Sequence, residues 1–374
     1  MFVSEAHGGF GGIAQYNRDI ITALSSFDAV EEIVVLPRII MGSDGSVPAK
    51  VTYDAASAGS AANFVRRSAV QAMFGGRFDL VYCGHINLAP IAALIAQVRR
   101  IPMVLAIYGI DAWGKPGRLV GRCPASVFSL VISISQITLD RFSAWSRVSP
   151  EKCVVLPNAI DAAKFGIGTK SQSLARRLGV NGRTVVMTFG RMSADERYKG
   201  FDEVIDVMPR LVSRNPSIVY VAAGEGSDRE RLQAKARALG VADYVIFPGR
   251  IDESEKADLY RLADAYVMPS SGEGFGFVVL EALACGIPVV ASAADGTREA
   301  VRDGELGIVI NPANPDDLER GIFSALAQPK GVPPGLSYFA FERFAERLRE
   351  ALSRVVNIGP DAPSPPSFRA VVAS

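Results

Sequence analysis

Glu273 and Glu281 stand eight positions apart within residues 266–292, YVMPSSGEGFGFVVLEALACGIPVVAS. A carboxylate accepts hydrogen bonds and repels phosphate, so a pair of them beside a ligand would hold hydroxyl groups. The run around them reads as strand, loop, helix and strand. Residues 266–269 are apolar and closed by proline, 270–276 hold three glycines, and 277–285 are apolar apart from Glu281. Gly286 stops that helix, and 287–291 restore a β-branched strand. In such a unit the loop and the helix start lie at the carboxyl edge of a parallel sheet. Unpaired N–H groups and the positive end of the helix dipole favour an anion there. An anion cradle with two hydroxyl acceptors suits a sugar nucleotide. Taken alone, the stretch is equally consistent with a plain structural turn and a solvated Glu281.

A diphosphate must also be neutralised. Residues 190–200, GRMSADERYKG, place Arg191 and Lys199 in one loop after a strand at 184–190. Arginine grips phosphate through two nitrogens and lysine supplies a point charge; the competing reading is two ordinary solvated loop charges. No Asp-x-Asp occurs anywhere, and the only histidines are His7 and His85. Metal-assisted diphosphate binding is therefore disfavoured, and neither a metal nor a cofactor is expected.

These side chains need a scaffold, and the pattern supplies one. The chain opens MFVSEAHGGFGGIAQYNRDIITAL, a strand at 1–4, glycines at 8, 9, 11 and 12, then a helix from about Ile13. Glycines before a helix suggest close approach of backbone to a ligand, or simply a tight turn. A full strand takes about five residues, so either the native start lies upstream or this edge of the sheet is short. Further strands are expected at 32–36, 52–56, 79–83, 102–107, 130–133 and 153–156, with helices at 61–74, 89–98 and 138–146. After a polar connector at 158–182 a second set begins. Its strands fall at 184–190, 217–223, 244–248, 266–269, 287–291 and 307–310, and its helices at 201–213, 228–239, 256–262, 277–285 and 316–326. Strand and helix alternate throughout, which predicts two doubly wound parallel sheets with a ligand cleft between them. A long amphipathic helix at 338–355 would cross back and brace the first domain. The expected domains are 1–160 with helix 338–356, and 161–337. Residues 357–374, with Pro360, Pro363, Pro365 and Pro366, read as a disordered tail.

Composition narrows the class. Among 374 residues, 49% are apolar, but no run approaches the roughly 18 uncharged apolar residues of a membrane-spanning helix. The N-terminus lacks a basic-then-apolar signal pattern. Cys83, Cys123, Cys153 and Cys285 are scattered with no CxxC pair, so they read as reduced and mostly buried in a cytoplasmic protein. Residues 1–160 carry 14 Lys/Arg against 11 Asp/Glu, the excess including Arg66, Arg67, Arg77, Arg99, Arg100, Lys115, Arg118 and Arg122. That is too weak a bias for nucleic acid. It leaves room for a weak peripheral contact with the inner face of the cell membrane, although solvated arginines are the simpler reading.

Several motifs occur in order: GR…KG at Arg191 and Lys199, AGEG at 223–226, FPGRI at 247–251, and Glu273-x7-Glu281 inside SGEGFGFVVLEALACGIPVVAS. With them the chain resembles the retaining nucleotide-sugar glycosyltransferases of glycosyltransferase family 4. The likeness runs over nearly the whole chain, from the N-terminal GGxGG to the C-terminal crossover helix, and an ordered set of motifs is far more specific than one glycine pattern. It implies an α/β fold of the GT-B type, two Rossmann-like doubly wound domains facing a central cleft. It implies that Arg191 and Lys199 bind the donor diphosphate, together with backbone around Gly274, Phe275, Gly276 and Phe277. Glu281 would hold the ribose hydroxyls and Glu273 those of the transferred sugar. Arg250 and Ile251 would line the base pocket, Gly224 of AGEG would belong to the donor site, and Gly11 and Gly12 would face the donor.

Many members of that family carry a histidine where this chain has Tyr108, in IYGIDAW. A tyrosine hydroxyl, with a pKa near ~10, is a poor general base at neutral pH. Either Tyr108 with Asp111 fills an altered role, or the chemistry does not need the histidine. The second option fits a front-face mechanism in which the leaving phosphate takes the acceptor's proton. His85, in CGHINLAP, is a further candidate for the acceptor, or a plain turn residue. The candidate catalytic residues are thus Glu273, Arg191, Lys199, Tyr108 and Asp111. The expected activity is metal-independent, retaining transfer of a hexose from a UDP- or GDP-linked donor to a hydroxyl acceptor. By resemblance the acceptor is a lipid-linked saccharide of a bacterial surface polysaccharide. A nucleotide-sugar 2-epimerase of the same fold would need additional acid and base residues, and a non-catalytic nucleotide-sugar binding protein is kept open by Tyr108. An NAD-dependent dehydrogenase is disfavoured, because no GxGxxG opens a βαβ unit with an acidic residue ~20 positions on.

Overall fold

A computed structural model describes residues 1–42, 46–114, 117, 123–358 and 369–373. Lys115, Arg118 and Arg122 of the basic excess and the four prolines of the tail lie outside the described residues. The chain divides into two compact units, Met1–Ala159 with Phe341–Ser374, and Ile160–Ala340.

The first unit holds β1 (Phe2–Val3), β2 (Glu32–Pro37), β3 (Val51–Tyr53), β4 (Leu80–Cys83), β5 (Met103–Ile107), β6 (Leu130–Ser133) and β7 (Cys153–Val155). All pairings are parallel, with β1 between β2 and β4, β3 outside β2, and β5, β6 and β7 following β4 in order. In β4, β5 and β6 every residue is buried, as it must be where helices cover both faces of a parallel sheet. The helix Phe341–Ser353 also belongs to this unit, and Phe344 sets its ring edge-on to Tyr16 at 5.5 Å.

The second unit holds β8 (Thr184–Phe189), β9 (Ile218–Ala223), β10 (Val245–Ile246), β11 (Ala265–Met268), β12 (Val289–Ser292) and β13 (Ile308–Ile310), in the order β10-β9-β8-β11-β12-β13. The order reverses between β8 and β11, the point at which open α/β sheets bind ligands beyond their carboxyl ends. The loops leaving those two strands carry Arg191 and Lys199 on one side and Glu273 on the other. The helix Phe201–Arg214 buries Phe201, Val204, Ile205, Met208 and Leu211 against this sheet, a stripe at three- and four-residue spacing.

Some expected boundaries move. The weak strand at 52–56 is Val51–Tyr53, and the strand at 244–248 shrinks to two residues. The long final helix does not start at 338. Residues Pro334–Phe339 form a 3-10 turn, Ala340 is extended, and the helix begins at Phe341. Phe339 stays with the second unit, its ring 5.6 Å from Phe275. Phe339 therefore packs in the second unit, while Phe344, within the helix, packs in the first.

The expectation of a disordered tail over 357–374 is corrected at Arg369–Ala373 alone. Arg369–Ala373 form β14, parallel to both β2 and β4, with Val372 opposite Val35 and Tyr82. The physical reason lies in β1. It is central and not an edge, yet it covers only Leu36, Pro37 and Cys83 of its neighbours. Below it, Glu32–Val35 and Leu80–Tyr82 would face an open slot, and unpaired buried backbone is costly. β14 fills that slot and ends where β1 begins. Deleting residues 359–374 is expected to lower the thermal midpoint by about 5 °C or more, since two ladders lose their partner. An unchanged midpoint in differential scanning calorimetry would show that the strand does not form.

Candidate functional site

The loops at the carboxyl edge of the second sheet are packed backbone on backbone. Gly190 donates its N–H to Ala223, Met192 to Glu225, and Asp228 returns one to Met192. A Cβ on Gly224, at φ 123°, would lie 1.9 Å from the Gly190 carbonyl oxygen, so only glycine allows this approach. Gly224 also donates to the Gly249 carbonyl at 3.3 Å. The AGEG and FPGRI segments are thereby drawn against the start of the loop after β8. Arg250 is exposed there and Ile251 half-buried.

Further along the same loop, Lys199 Nζ lies 2.5 Å from Glu273 Oε1 and 3.7 Å from Glu196. Burial alone would pull the Lys199 ammonium down. The charge and hydrogen bond of Glu273 more than offset that and leave it above the ordinary lysine range. Arg191 is largely exposed and pairs with both oxygens of Glu196, Nη2 at 2.6 Å and Nε at 3.0 Å. Glu196 thus occupies the two-pronged face that a phosphate would use. The spacing could have pointed to it, three residues before Lys199 in a turn, but sequence reading passed it over.

The loop after β11 is fixed from both sides. Ser271 donates its N–H to the Tyr198 carbonyl, joining it to the Lys199 loop. On the other side Glu273 donates its N–H to Asp295 Oδ2 at 2.9 Å, and Gly296 donates to the Glu273 carbonyl. A Cβ on Gly296 would lie 2.1 Å from the Gly274 carbonyl oxygen. Burial raises the Asp295 carboxyl, against bonds accepted from Glu273 and Thr297 that favour the ion. Asp295, Gly296 and Thr297 were missed by sequence reading, although Asp-Gly-Thr after a strand is a turn signal. Phe275 is buried, and Gly276 starts the helix Phe277–Ala284 with no side-chain cap. Its first amides therefore have no side chain competing for them.

Glu281 faces inward from that helix and is already engaged. Lys256 Nζ donates to Oε1 at 2.6 Å and the Tyr260 hydroxyl to Oε2 at 2.7 Å. Lys256 and Tyr260 are four residues apart on one helix, hence on one face. Each carboxylate oxygen has two lone pairs, so one on each remains for a further donor.

The remaining sequence candidates belong to the first unit. Gly11 and Gly12 are exposed at the start of the helix Gly12–Ser26, which has no side-chain cap. Tyr108 is buried, and its hydroxyl donates to Asn17 Oδ1 at 2.8 Å. Burial, with Tyr82 and Tyr16 nearby, holds that hydroxyl well above the usual tyrosine range, so it offers no base at neutral pH. His85 is a turn residue: its Nδ1 accepts the Asn87 N–H, and burial lowers its pKa to about 4. Asp111 has one carboxylate oxygen without a hydrogen-bond partner among the described residues. Burial pushes its pKa up to about 7, outweighing backbone N–H groups that favour the ion.

Comparison with known proteins gives a consistent picture. Residues 176–333 match the family model of the glycosyl transferases group 1. The chain is 33% identical over 285 residues to the D-inositol 3-phosphate glycosyltransferase of Geodermatophilus obscurus, covering 72% of this chain and 60% of that protein. It is 33% identical over 210 residues to the GDP-mannose-dependent alpha-(1-6)-phosphatidylinositol monomannoside mannosyltransferase of Mycolicibacterium smegmatis, 54% of each. The chain thus spans little more than half the length of these two relatives. Among solved structures, Anabaena Alr3699/HepE in complex with UDP superposes with a TM-score of 0.73 at 22% identity, over 93% of this chain and 98% of that one. The fold is α/β of the GT-B type.

Two outcomes follow from the buried charges. Glu281→Ala strands the covered Lys256 ammonium and is expected to cost about 3 kcal/mol in urea unfolding; a loss within error of zero would contradict the pairing. An unfolded aspartate titrates near ~4, so the raised Asp111 pKa contributes stability that is present below that pH and is lost as pH rises through about 7. Asp111→Asn should therefore raise the thermal midpoint above wild type at pH 8 and leave it unchanged at pH 4. Equal midpoints at pH 8 would contradict the burial of that carboxyl.

Proposed function

We propose, from the match of residues 176–333 to the glycosyl transferases group 1 model, that the chain moves a hexose from a nucleoside diphosphate donor to a hydroxyl acceptor, with retention at the anomeric carbon and without a metal ion. The observation that carries this reading is the convergence of Arg191, Lys199 and Glu273 at the strand-order reversal of the second sheet. The donor diphosphate displaces Glu196 from Arg191 and lies against the uncapped helix start at Gly276. Lys199 keeps Glu273 and adds its charge to the phosphate, which lowers the cost of the leaving group. Glu273 and Glu281 accept from sugar and ribose hydroxyls through their unused lone pairs. Likeness to a structure holding UDP and to a relative named for GDP-mannose supports a UDP- or GDP-linked donor.

With Tyr108 committed to Asn17, the base is the leaving phosphate itself. The acceptor oxygen bonds to the anomeric carbon on the face from which phosphate departs, and its proton passes to the departing phosphate oxygen. The acceptor in this reading is a lipid-linked saccharide. Helices Ala61–Phe74 and Ala89–Arg99 expose Val65, Met73, Phe74, Leu94 and Val98, flanked by Arg66, Arg77 and Arg100. Apolar side chains among arginines suit the surface of an anionic membrane. Among the described residues no helix is long and apolar enough to cross one.

Turnover of UDP- and GDP-hexoses is expected to persist in EDTA and to give a product with the donor's anomeric configuration by NMR. Lys199→Ala should lower kcat/KM by roughly 100-fold or more, and Glu196→Gln should lower the donor KM severalfold by removing the internal competitor for Arg191. An inverted product, or full activity in Lys199→Ala, would overturn the proposal.

A further inference from the structure

The second unit contains a cavity of about 230 Å³ away from the donor loops. Glycines make the space, Gly168, Gly286 and Gly331, and the charged lining is Lys170, Arg261 and Lys330. A Cβ on Gly331 would meet nothing within 4 Å. Lys170 and Lys330 pair with the same oxygen, Oδ1 of Asp264, at 2.8 and 2.9 Å, while Oδ2 accepts the Val185 N–H near the start of β8. Asp264 immediately precedes β11, so the cavity sits at the amino edge of the sheet. The donor loop leaves the other end of that strand, about 13 Å away at ~3.3 Å per residue.

Two ammonium groups share one carboxylate here, and Lys330 also donates to the Ala263 carbonyl at 2.5 Å, so among the described residues the two lysines carry one positive charge more than the carboxylate they share. Arg261 is anchored to the Gly166 carbonyl through Nε and Nη2 and to Asp258 through Nη1. Asp258 is about half exposed, so water screens it. Burial, with Lys170 nearby, holds Lys330 below the ordinary lysine range despite Asp264. The hydrogen bonds made leave N–H donors to spare on all three cations, since an ammonium has three and a guanidinium five.

We propose that this cavity binds a small phosphate-bearing anion, inorganic phosphate or a phosphate monoester, at a site separate from the nucleotide-sugar site. An anion there takes up the spare donors and neutralises the excess charge, with the glycine walls admitting it to contact. Cys285 and Gly286, at the far end of the helix that carries Glu281, line the same cavity. Occupancy therefore bears on the helix whose other end opens the donor loop.

The test is the thermal midpoint of the full chain with UDP saturating, so that the donor site is already filled. Inorganic phosphate at about ten times its Kd should raise the midpoint by about 3 °C. A hexose 6-phosphate acting at lower concentration would identify a monoester as the ligand, and equal potency would identify phosphate itself. The shift should vanish in Lys170→Met and Lys330→Met, and also in Gly331→Leu, which fills the cavity without removing a charge. No shift in wild type, a shift that survives all three substitutions, or one that appears only without UDP would overturn the proposal.

Discussion

An ammonium with only 13% of its side chain exposed stays charged only if a carboxylate is within reach, and for Lys199 that carboxylate is Glu273, on a different loop. The pair ties the loop after β8 to the loop after β11. Those are the loops that flank the reversal of strand order. As a stability device a covered ion pair is near break-even, because desolvating both ions offsets their attraction. Its larger effect is positional: each charge holds the other, and the loop that carries it, in place. Arg191 is the opposite case, exposed and held among the described residues by Glu196, so it can exchange one anion for another.

Everything around that pair serves to keep it still. Carbonyl oxygens of Gly190 and Gly274 approach where Gly224 and Gly296 have no side chain, so the loops pack as closely as sheet strands do. Asp295 holds the Glu273 amide from behind, and Lys256 with Tyr260 fixes both oxygens of Glu281. The ordering that a donor would otherwise impose is already present in the folded chain. Carboxylates so engaged still accept, because two lone pairs per oxygen exceed one donor each.

The alternation of apolar runs and turns was enough to place strands and helices in the second unit, including the helix stop at Gly286, because parallel strands buried on both faces leave strong signals. Partners across loops were not legible. Nothing local says that Lys199 would meet Glu273, or that Asp295, fourteen residues past Glu281, would accept the Glu273 amide. The tail shows the limit of composition. Four prolines dominate residues 357–374, while the five residues of β14 become a strand only because β1 leaves a slot that no local rule reveals. Tyr108 is intermediate: its departure from the histidine of similar chains is plain in sequence, but its commitment to Asn17 appears only when the fold brings together residues 91 positions apart.

The central claim is that two side chains, and no metal, neutralise the donor diphosphate. Isothermal titration of UDP and GDP into wild type and an Arg191→Ala, Lys199→Ala double variant, each with and without EDTA, tests it most directly. The account predicts a wild-type affinity indifferent to EDTA and a loss of about 100-fold or more in the double variant. Affinity abolished by EDTA, or kept by the double variant, would contradict it.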